Sequence, residues 1–150
     1  MEKTLILLKP DCVQRRLVGT IIGRLEQKGL RLAGMKLVQI SRELAEKHYA
    51  VHKSRSFYES LVRFVTSGPT VALVVEGPSA VSVVRNLMGP TDGTKAPPGT
   101  LRGDFALSVQ NNLIHGSDSL ETAAAEIALW FSPEELVNYR PVDSLWITGS

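Results

Sequence analysis

Residues 4 to 11 read TLILLKPD, a short apolar run that is closed by a polar Lys-Pro-Asp turn. An apolar segment of this length, bounded by a turn signal, is typical of a strand that is covered on both sides. We therefore predict a central β-strand over residues 4 to 8, with Lys9 and its neighbours in the polar turn that ends it.

Helical and extended patterns alternate through the next part of the chain. Apolar residues recur at helical spacing from Leu17 to Leu25, and Gly29 gives a stop signal. Residues 30 to 40 predict a second strand because they are apolar and partly β-branched. The further predictions up to the long loop are a helix capped by Ser41 through about Tyr49, a helix over Phe57–Thr66, a strand over Val71–Val75, and a helix that opens at Gly77-Pro78 and stops at Gly89.

The second half of the chain opens with an irregular segment. Residues 89 to 103 contain three prolines and four glycines without helical or strand periodicity, which predicts a long functional loop. Phe105, Leu107 and Val109 alternate with smaller or polar residues and predict a fourth strand. Capping boxes at Asp118 with Glu121 and at Ser132 with Glu135 predict two further helices.

This order of elements predicts an α+β sandwich of the ferredoxin-like type, with a βαββαβ antiparallel sheet covered by helices. The length of 150 residues favours one domain over residues 1 to 150. We expect a cytoplasmic protein without a membrane segment, because no apolar run approaches about 20 residues and no signal peptide is apparent. The single cysteine, Cys12, excludes an internal disulfide framework.

Phosphate-binding glycine loops are missing from the sequence, since neither G-x-x-x-x-G-K-[ST] nor G-x-G-x-x-G after a strand occurs. Any phosphate site must therefore use side chains. Candidates lie near the ends of predicted elements, namely Lys9, Arg55, Arg85, Thr91 and Arg102. Surface cations are usually only solvated groups, so each of these is weak evidence by itself.

The most informative segment is NNLIHGSDS, residues 111 to 119, in which His115 precedes a capped helix. A neutral imidazole is nucleophilic near pH 7, and a carboxylate such as Glu126 on the following helix could orient its ring. A structural histidine is the alternative. His48 and His52 lie in a polar stretch, and we interpret both as solvated. No His/Cys cluster has zinc spacing, so we expect no metal bound directly by the protein.

Four segments resemble the nucleoside diphosphate kinase family. They are KPDCVQR at 9–15, PGTLRGDF at 98–105, NLIHGSDS at 112–119 and WFSPEEL at 130–136. The similarity runs essentially from end to end. It implies transfer of the γ-phosphoryl group of a nucleoside triphosphate, mainly ATP, to a nucleoside diphosphate by a ping-pong mechanism through a phosphohistidine.

The resemblance also implies a role for each matched position. His115 would be the nucleophile, with Glu126 and Ser117 fixing its ring and Lys9 and Tyr49 completing the catalytic group. The base would stack on Phe57, with Leu61 and Val109 nearby. The positions around the phosphates and sugar would be Lys9, Tyr49, Arg55, Arg85, Thr91, Arg102 and Asn112. Family enzymes use Mg²⁺ held mainly by the nucleotide phosphates, and they form homo-oligomers, with a hexamer favoured here and a tetramer possible.

Two other functions stay open at this stage. Ferredoxin-like sheets also bind RNA, although no aromatic RNP motif is present and the net charge is only +2, so no dedicated nucleic-acid site is expected. A catalytically silent relative is disfavoured by the joint presence of His115, Lys9, Arg102 and Asn112. Cys12, Val51 and Ser56 depart from the usual family pattern, and none of them performs chemistry.

Overall fold

A four-stranded antiparallel sheet organises the chain in the order β2-β3-β1-β4. The computed structural model describes residues 1 to 150. Its strands are β1 Glu2–Leu8, β2 Arg31–Gln39, β3 Pro69–Gly77 and β4 Ile114–Gly116. Its helices are α1 Pro10–Gln14, α2 Val18–Lys28, α3 Arg42–His48, α4 Tyr58–Val65, α5 Ala80–Met88, α6 Leu101–Phe105, α7 Leu120–Trp130 and α8 Ser144–Thr148. Single 3₁₀ turns cover Ala50–His52, Gly93–Lys95 and Pro133–Glu135.

The apolar run of β1 is explained by cores on both faces of the sheet. Side chains alternate across a strand, so Ile6 and Leu8 pack with α2 and α5, whereas Leu5 and Leu7 pack with α3, α4 and α7. β3 divides its side chains in the same way. A central strand in such a sandwich has no polar face, which confirms the prediction made from residues 4 to 8.

Most of the predicted elements are confirmed, and the fold is ferredoxin-like. The Ser41 hydroxyl accepts a hydrogen bond from the Leu44 N–H at 3.1 Å and begins α3 as expected. α2 ends at Gly29, whose φ of +101° is the left-handed cap conformation that favours glycine. Gly89 ends α5 with φ +81°, and a Cβ there would lie 2.6 Å from the Thr100 hydroxyl oxygen.

The fourth strand was predicted in the wrong place. Phe105 ends α6, which the Thr100 hydroxyl caps by accepting from the Gly103 N–H, and Leu107 and Val109 are 86% and 59% exposed. Their alternation therefore reflects no sheet pairing. The strand that completes the sheet is the three-residue β4, which contains His115.

Two local predictions also change. α7 is capped by Ser119, whose hydroxyl accepts from the Thr122 N–H at 3.0 Å, and Asp118 lies one residue before this cap. The predicted loop over residues 89 to 103 ends early, because α6 begins at Leu101. The box at Ser132 and Glu135 is present, although it opens only one 3₁₀ turn.

Strand register positions the candidate nucleophile. His115 pairs with Leu7 of β1, so both side chains lie on the sheet face that is covered by α3, α4 and α7. The two neighbours of His115 on β4, Ile114 and Gly116, are buried. No helix has both the length and the apolar character needed to cross a membrane.

Candidate active site

His115 is held by a short chain of hydrogen bonds that begins in the sheet. The β1 backbone N–H of Leu5 donates to the Ser117 hydroxyl at 3.3 Å, and that hydroxyl donates to Glu126 Oε1 at 2.7 Å. The same carboxylate oxygen lies 3.0 Å from His115 Nε2. Strand β1 therefore fixes Glu126 of α7, and Glu126 fixes the imidazole of β4.

The charge state of Glu126 assigns the protons on the His115 ring. Burial raises the pKa of this carboxyl, but hydrogen bonds from His115 and Ser117 outweigh it and leave the pKa below its usual value. An ionised carboxylate only accepts hydrogen bonds, so His115 Nε2 must carry the proton. In the neutral ring, His115 Nδ1 is then the unprotonated nitrogen, whose lone pair is available for attack. The ring is only partly buried, with 26% of its side chain exposed.

The Asn112 side chain joins two of the predicted phosphate-site residues, Lys9 and Thr91. Its carboxamide oxygen accepts from Lys9 Nζ, and its Nδ2 donates to the Thr91 carbonyl at 2.9 Å. Lys9 Nζ also donates to the Gln110 carbonyl at 3.1 Å. Burial lowers the pKa of Lys9 to about 8, an effect that Asp11 opposes and Arg102 reinforces. Lys9 therefore loses its positive charge as the pH rises through about 8.

Arg102 supports the backbone that carries His115. Its guanidinium donates to the carbonyls of Gly89, Asn112 and Ile114 at 3.1, 3.3 and 2.6 Å. A guanidinium has five N–H groups, so two remain for a ligand. Burial, followed by the charge of Arg85, lowers the pKa of Arg102 to about 10, and the group stays charged at neutral pH. Arg85 itself donates to the Gly116 carbonyl at 3.2 Å.

The backbone before His115 is also constrained. Leu113 is fully buried with φ +75°, which an L-residue other than glycine rarely adopts. Its N–H donates to Asp11 Oδ2 at 3.0 Å, and its carbonyl accepts from the Lys9 N–H at 2.8 Å. The turn at the end of β1 therefore imposes the conformation of Leu113.

The prediction that His48 is solvated is wrong. Its side chain is only 1% exposed, and its ring lies edge-on to His115 with 4.8 Å between ring centroids. Trp130 Nε1 donates to His48 Nδ1 at 3.0 Å. Tyr49, which was predicted in the site, is buried beside His48, and burial raises the pKa of its phenol.

Sequence reasoning missed both His48 and Trp130. The available signal was weak: Leu44 and His48 share one flank of α3, next to the buried pair Ala45 and Tyr49. We missed this flank because α3 also carries four charged side chains, which give the helix a polar composition.

A cavity of about 570 Å³ opens beside His115. It is lined by His48, Tyr49, His52, Arg85, His115 and Glu126 among others. We call the group formed by Lys9, Asn112, His115, Ser117 and Glu126 the inner wall, and His115 and Glu126 are its members that line this cavity. The cavity has the size of a small-ligand site and brings the predicted nucleophile together with Tyr49 and Arg85.

Four predicted nucleotide-binding residues do not line this cavity. They are Phe57, Leu61 and Val109, predicted to hold the base, and Arg55, predicted to contact the phosphates, and we call this group the outer wall. Phe57 is 46% exposed at the start of α4 and lies 5.4 Å from the His52 ring. Leu61 is half-buried, and Arg55 is exposed without a side-chain hydrogen bond. A hydrogen bond of 3.2 Å from the Ser60 hydroxyl to Gln110 Oε1 connects α4 with the segment that carries Val109.

One group of side chains has the composition of a metal site. Donor atoms of His48, His115 and Glu126 lie within 4.8 Å of one another. Trp130 already occupies His48 Nδ1, and His115 shares its proton with Glu126, so these atoms form a hydrogen-bonded group and not a ligand set. Mg²⁺ prefers oxygen ligands, of which this group offers one carboxylate.

Cys12, a departure from the family pattern, is fully buried. Burial raises the pKa of its thiol to about 12, and Asp11 adds to the effect. Because the thiolate is the reactive form, Cys12 is an inert core residue. Val51, another departure, is 84% exposed on the 3₁₀ turn after α3.

An oriented imidazole that lines a cavity together with Arg85 is the composition expected of a phosphotransferase site. Comparison with known proteins agrees. The family model described as nucleoside diphosphate kinase matches residues 2–136. The chain is 57% identical over 147 residues to a nucleoside diphosphate kinase of Synechococcus elongatus, covering 98% of this chain and 99% of the relative. A nucleoside diphosphate kinase of Thermomicrobium roseum is 55% identical over 149 residues, covering 99% of this chain and all of the relative.

Solved structures give the same result. A halophilic nucleoside diphosphate kinase from Halobacterium salinarum in complex with CDP has a TM-score of 0.95 at 48% identity, and the match covers 97% of both chains. A family member from Babesia bovis has a TM-score of 0.95 at 42% identity, with 98% of this chain and 99% of that chain covered. The chain belongs to the nucleoside diphosphate kinase family, and it is a nucleotide phosphotransferase.

Proposed function

We propose that this enzyme works by a ping-pong mechanism in which His115 Nδ1 carries the phosphoryl group. In the first half-reaction, Nδ1 attacks the γ-phosphorus of a Mg²⁺-bound nucleoside triphosphate, mainly ATP. The Nδ1–P bond forms, the bond between the γ-phosphorus and the bridging oxygen breaks, and the diphosphate leaves. A second nucleoside diphosphate then attacks the phosphohistidine, and its terminal oxygen takes the phosphoryl group.

The observation that carries this proposal is the chain from Leu5 through Ser117 and Glu126 to His115. It leaves Nδ1 as the free nitrogen and points one ring edge into the cavity. When Nδ1 bonds to phosphorus, the ring becomes cationic, and the ionised Glu126 stabilises that charge through the Nε2 proton. The imidazole needs no reorientation between the two half-reactions, so one residue can serve donor and acceptor in turn.

Cations around the cavity would align and neutralise the phosphates. We assign this role to Lys9, Arg85 and Arg102, with further contacts from Arg55, Thr91 and Tyr49. Lys9 and Asn112 would reach the sugar hydroxyls by exchanging their mutual hydrogen bond for contacts with the ligand. Phosphoryl transfer depends on alignment and charge stabilisation, and these side chains provide both together with Mg²⁺.

The outer wall would hold the base. Phe57 offers an exposed aromatic face, with Leu61 and Val109 as apolar neighbours. Stacking is tolerant of base identity because every nucleobase has a π-face. A site with few hydrogen-bond donors directed at base edges would accept purines and pyrimidines, and this breadth is part of the proposed function.

We further propose a homo-oligomer, with the hexamer favoured over the tetramer. Support comes from exposed apolar side chains, because Met35 and Leu37 on the edge strand β2 are 59% and 67% exposed, and Trp146 near the C-terminus is 86% exposed. Sedimentation velocity of the free enzyme tests the idea, since a single monomeric species would contradict it. A cytoplasmic location and a single domain stay predictions of the sequence.

The decisive experiment is to incubate the enzyme with γ-³²P-labelled ATP and Mg²⁺ in the absence of an acceptor. We expect acid-labile, alkali-stable label on the protein, which moves to GTP when GDP is added. His115→Ala should take up no label and keep its fold, whereas His52→Ala, the matched control at a histidine outside the hydrogen-bond chain, should be labelled. A labelled His115→Ala protein would refute the assignment, and wild type that binds ATP without taking up label would leave a silent binding protein as the account.

A further inference from the structure

His48 is a second histidine in direct contact with the proposed nucleophile, and the phosphotransfer mechanism gives it no role. Its Nδ1 accepts the indole N–H of Trp130 at 3.0 Å. The same Nδ1 lies 3.8 Å from Glu126 Oε2, the carboxylate oxygen that does not contact His115. Two histidines thus flank one carboxylate, and only one of them is bonded to it.

The indole fixes the tautomer of His48. Trp130 Nε1–H can only donate, so His48 Nδ1 must be an unprotonated acceptor, and the single ring proton lies on Nε2. The ring is therefore neutral. Burial, and after it the charge of a protonated His115, lower the pKa of His48 to about 3, and Glu126 opposes both. His48 consequently stays neutral throughout the pH range in which the enzyme would work.

Without the indole proton, His48 Nδ1 would compete for Glu126. A lone pair that faces a carboxylate oxygen at 3.8 Å is an unfavourable contact, and a proton on Nδ1 would turn it into an attractive one. Glu126 would then be shared between the two histidines, and its hold on the His115 Nε2 proton would weaken. Trp130 prevents this competition because its indole N–H donates to the lone pair of His48 Nδ1, so that this nitrogen carries no proton of its own.

We propose that Trp130 and His48 are positioning residues, and that the Trp130–His48 hydrogen bond prevents His48 from competing with His115 for Glu126. The inference rests on the proposed function, in which His115 is the nucleophile. It predicts a specific acid sensitivity that appears only when the indole N–H is removed. Neither residue needs to touch the nucleotide.

The surroundings of His48 limit which group could produce such a sensitivity. Tyr49 and His52 face it from its own helical segment, His115 from β4 and Glu126 from α7, while Arg85 of α5 lines the same cavity. Burial raises the pKa of the Tyr49 phenol, so this group does not titrate near neutral pH. His52 and His115 are present in every variant of the test below, so a change in acid sensitivity among these variants reports on His48.

The test measures the rate of His115 phosphorylation by rapid quench between pH 5.5 and 9 in four proteins. In Trp130→Phe the ring is kept and the N–H is lost. We expect its rate to match wild type within about 2-fold at pH 8.5 and to fall roughly 10-fold below wild type at pH 6, the scale on which orienting partners act. Trp146→Phe, the matched change at an exposed tryptophan, should follow the wild-type profile throughout.

The second-site variant separates positioning from packing. Asn has an acceptor oxygen near the position of Nδ1 and cannot be protonated, so His48→Asn in the Trp130→Phe background should restore the wild-type acid limb. A loss in Trp130→Phe that is equal at all pH values, or that His48→Asn does not relieve, would overturn the inference. Thermal unfolding of each variant confirms that folded proteins are compared.

Imidazole ¹⁵N NMR supplies a readout that does not depend on activity. The free wild-type enzyme at pH 6 should show His48 as the neutral Nε2–H tautomer, and Trp130→Phe should show a protonated Nδ1. Wild-type His48 with a proton on Nδ1 at pH 6 would also overturn the inference. If wild type itself formed no phosphohistidine, the proposed function would fail, whereas a normal wild type beside an unaltered Trp130→Phe profile would refute only the role of Trp130 and His48.

Discussion

The inner wall and the outer wall differ in how firmly their side chains are held. On the inner wall, Asn112 and Ser117 are 2% and 0% exposed, and the side chains of Lys9, His115 and Glu126 each take part in a hydrogen bond. On the outer wall, Phe57 and Val109 are about half exposed, and Arg55 has no side-chain partner. In the proposed mechanism, the chemistry therefore lies on the preorganised side, and ligand selection lies on the adaptable side.

This difference follows from where each wall is attached. The inner wall consists of strand ends and α7, which are fixed by the sheet and its cores. The outer wall consists of the start of α4 and an irregular segment after α6, joined to each other by the hydrogen bond between Ser60 and Gln110. Transition-state stabilisation requires groups that do not reorganise, whereas a site that accepts several bases gains from freedom at its rim.

Among changes to the two walls, removing the charge of Glu126 should cause the largest loss of activity. Glu126→Gln keeps the shape of the side chain, but it can no longer fix the Nε2 proton of His115 or balance the cationic ring. We expect kcat to fall by about 100-fold with little change in KM, as for other orienting partners. Steady-state kinetics with ATP and a diphosphate acceptor measure both constants.

The matched control is Glu121→Gln, the same change at an exposed glutamate in the first turn of α7. It should retain wild-type kinetics. A Glu126→Gln enzyme with full kcat would mean that the inner wall is not preorganised for catalysis in the way described here.

Removing the aromatic ring of Phe57 should affect binding rather than chemistry. Stacking on an aromatic side chain contributes about 1–3 kcal/mol per base, so Phe57→Ala should raise KM by roughly 10-fold. The label on His115 at saturating ATP should be unchanged. Val51→Ala, at an exposed position on the preceding 3₁₀ turn, serves as the control, and unaltered nucleotide affinity in Phe57→Ala would contradict the stacking assignment.

The smallest expected effect is a pH dependence from Lys9. Its pKa is lowered to about 8, so the ammonium that would face the phosphates is lost as pH rises through that value. We expect kcat/KM, which reports on the free enzyme, to decline several-fold between pH 7.5 and 9. Lys9→Arg should remove this decline even if its overall rate is lower, because a guanidinium stays charged.

Lys47→Arg, at an exposed lysine of α3, should leave the alkaline limb where it is in wild type. A decline that persists unchanged in Lys9→Arg would assign the limb to another group.

Sequence patterns were sufficient to predict features that depend on only a few neighbouring residues. The buried strand at residues 4 to 8, the cap at Ser41 and the stop at Gly29 were predicted correctly, because each depends on neighbours within one turn. The strand predicted at Phe105 to Val109 failed because alternation alone does not show which segment finds a partner. β4 has only three residues and is a strand because it pairs with β1. A segment this short has no periodic pattern that would predict the pairing.

By itself the sequence indicated the first three strands, the absence of a glycine-rich phosphate loop and a candidate site around His115, because these depend on residue types at short spacing. Only the tertiary structure decided that Glu126 and Ser117 hold the His115 ring, that Arg102 supports the backbone beneath it, and that His48 is buried against Trp130. The contact between His48 and Trp130 joins residues 82 positions apart in the chain. Whether a histidine is solvated or held as a neutral tautomer depends on burial and on such distant partners, and both arise only when the sheet has brought α3 and α7 together.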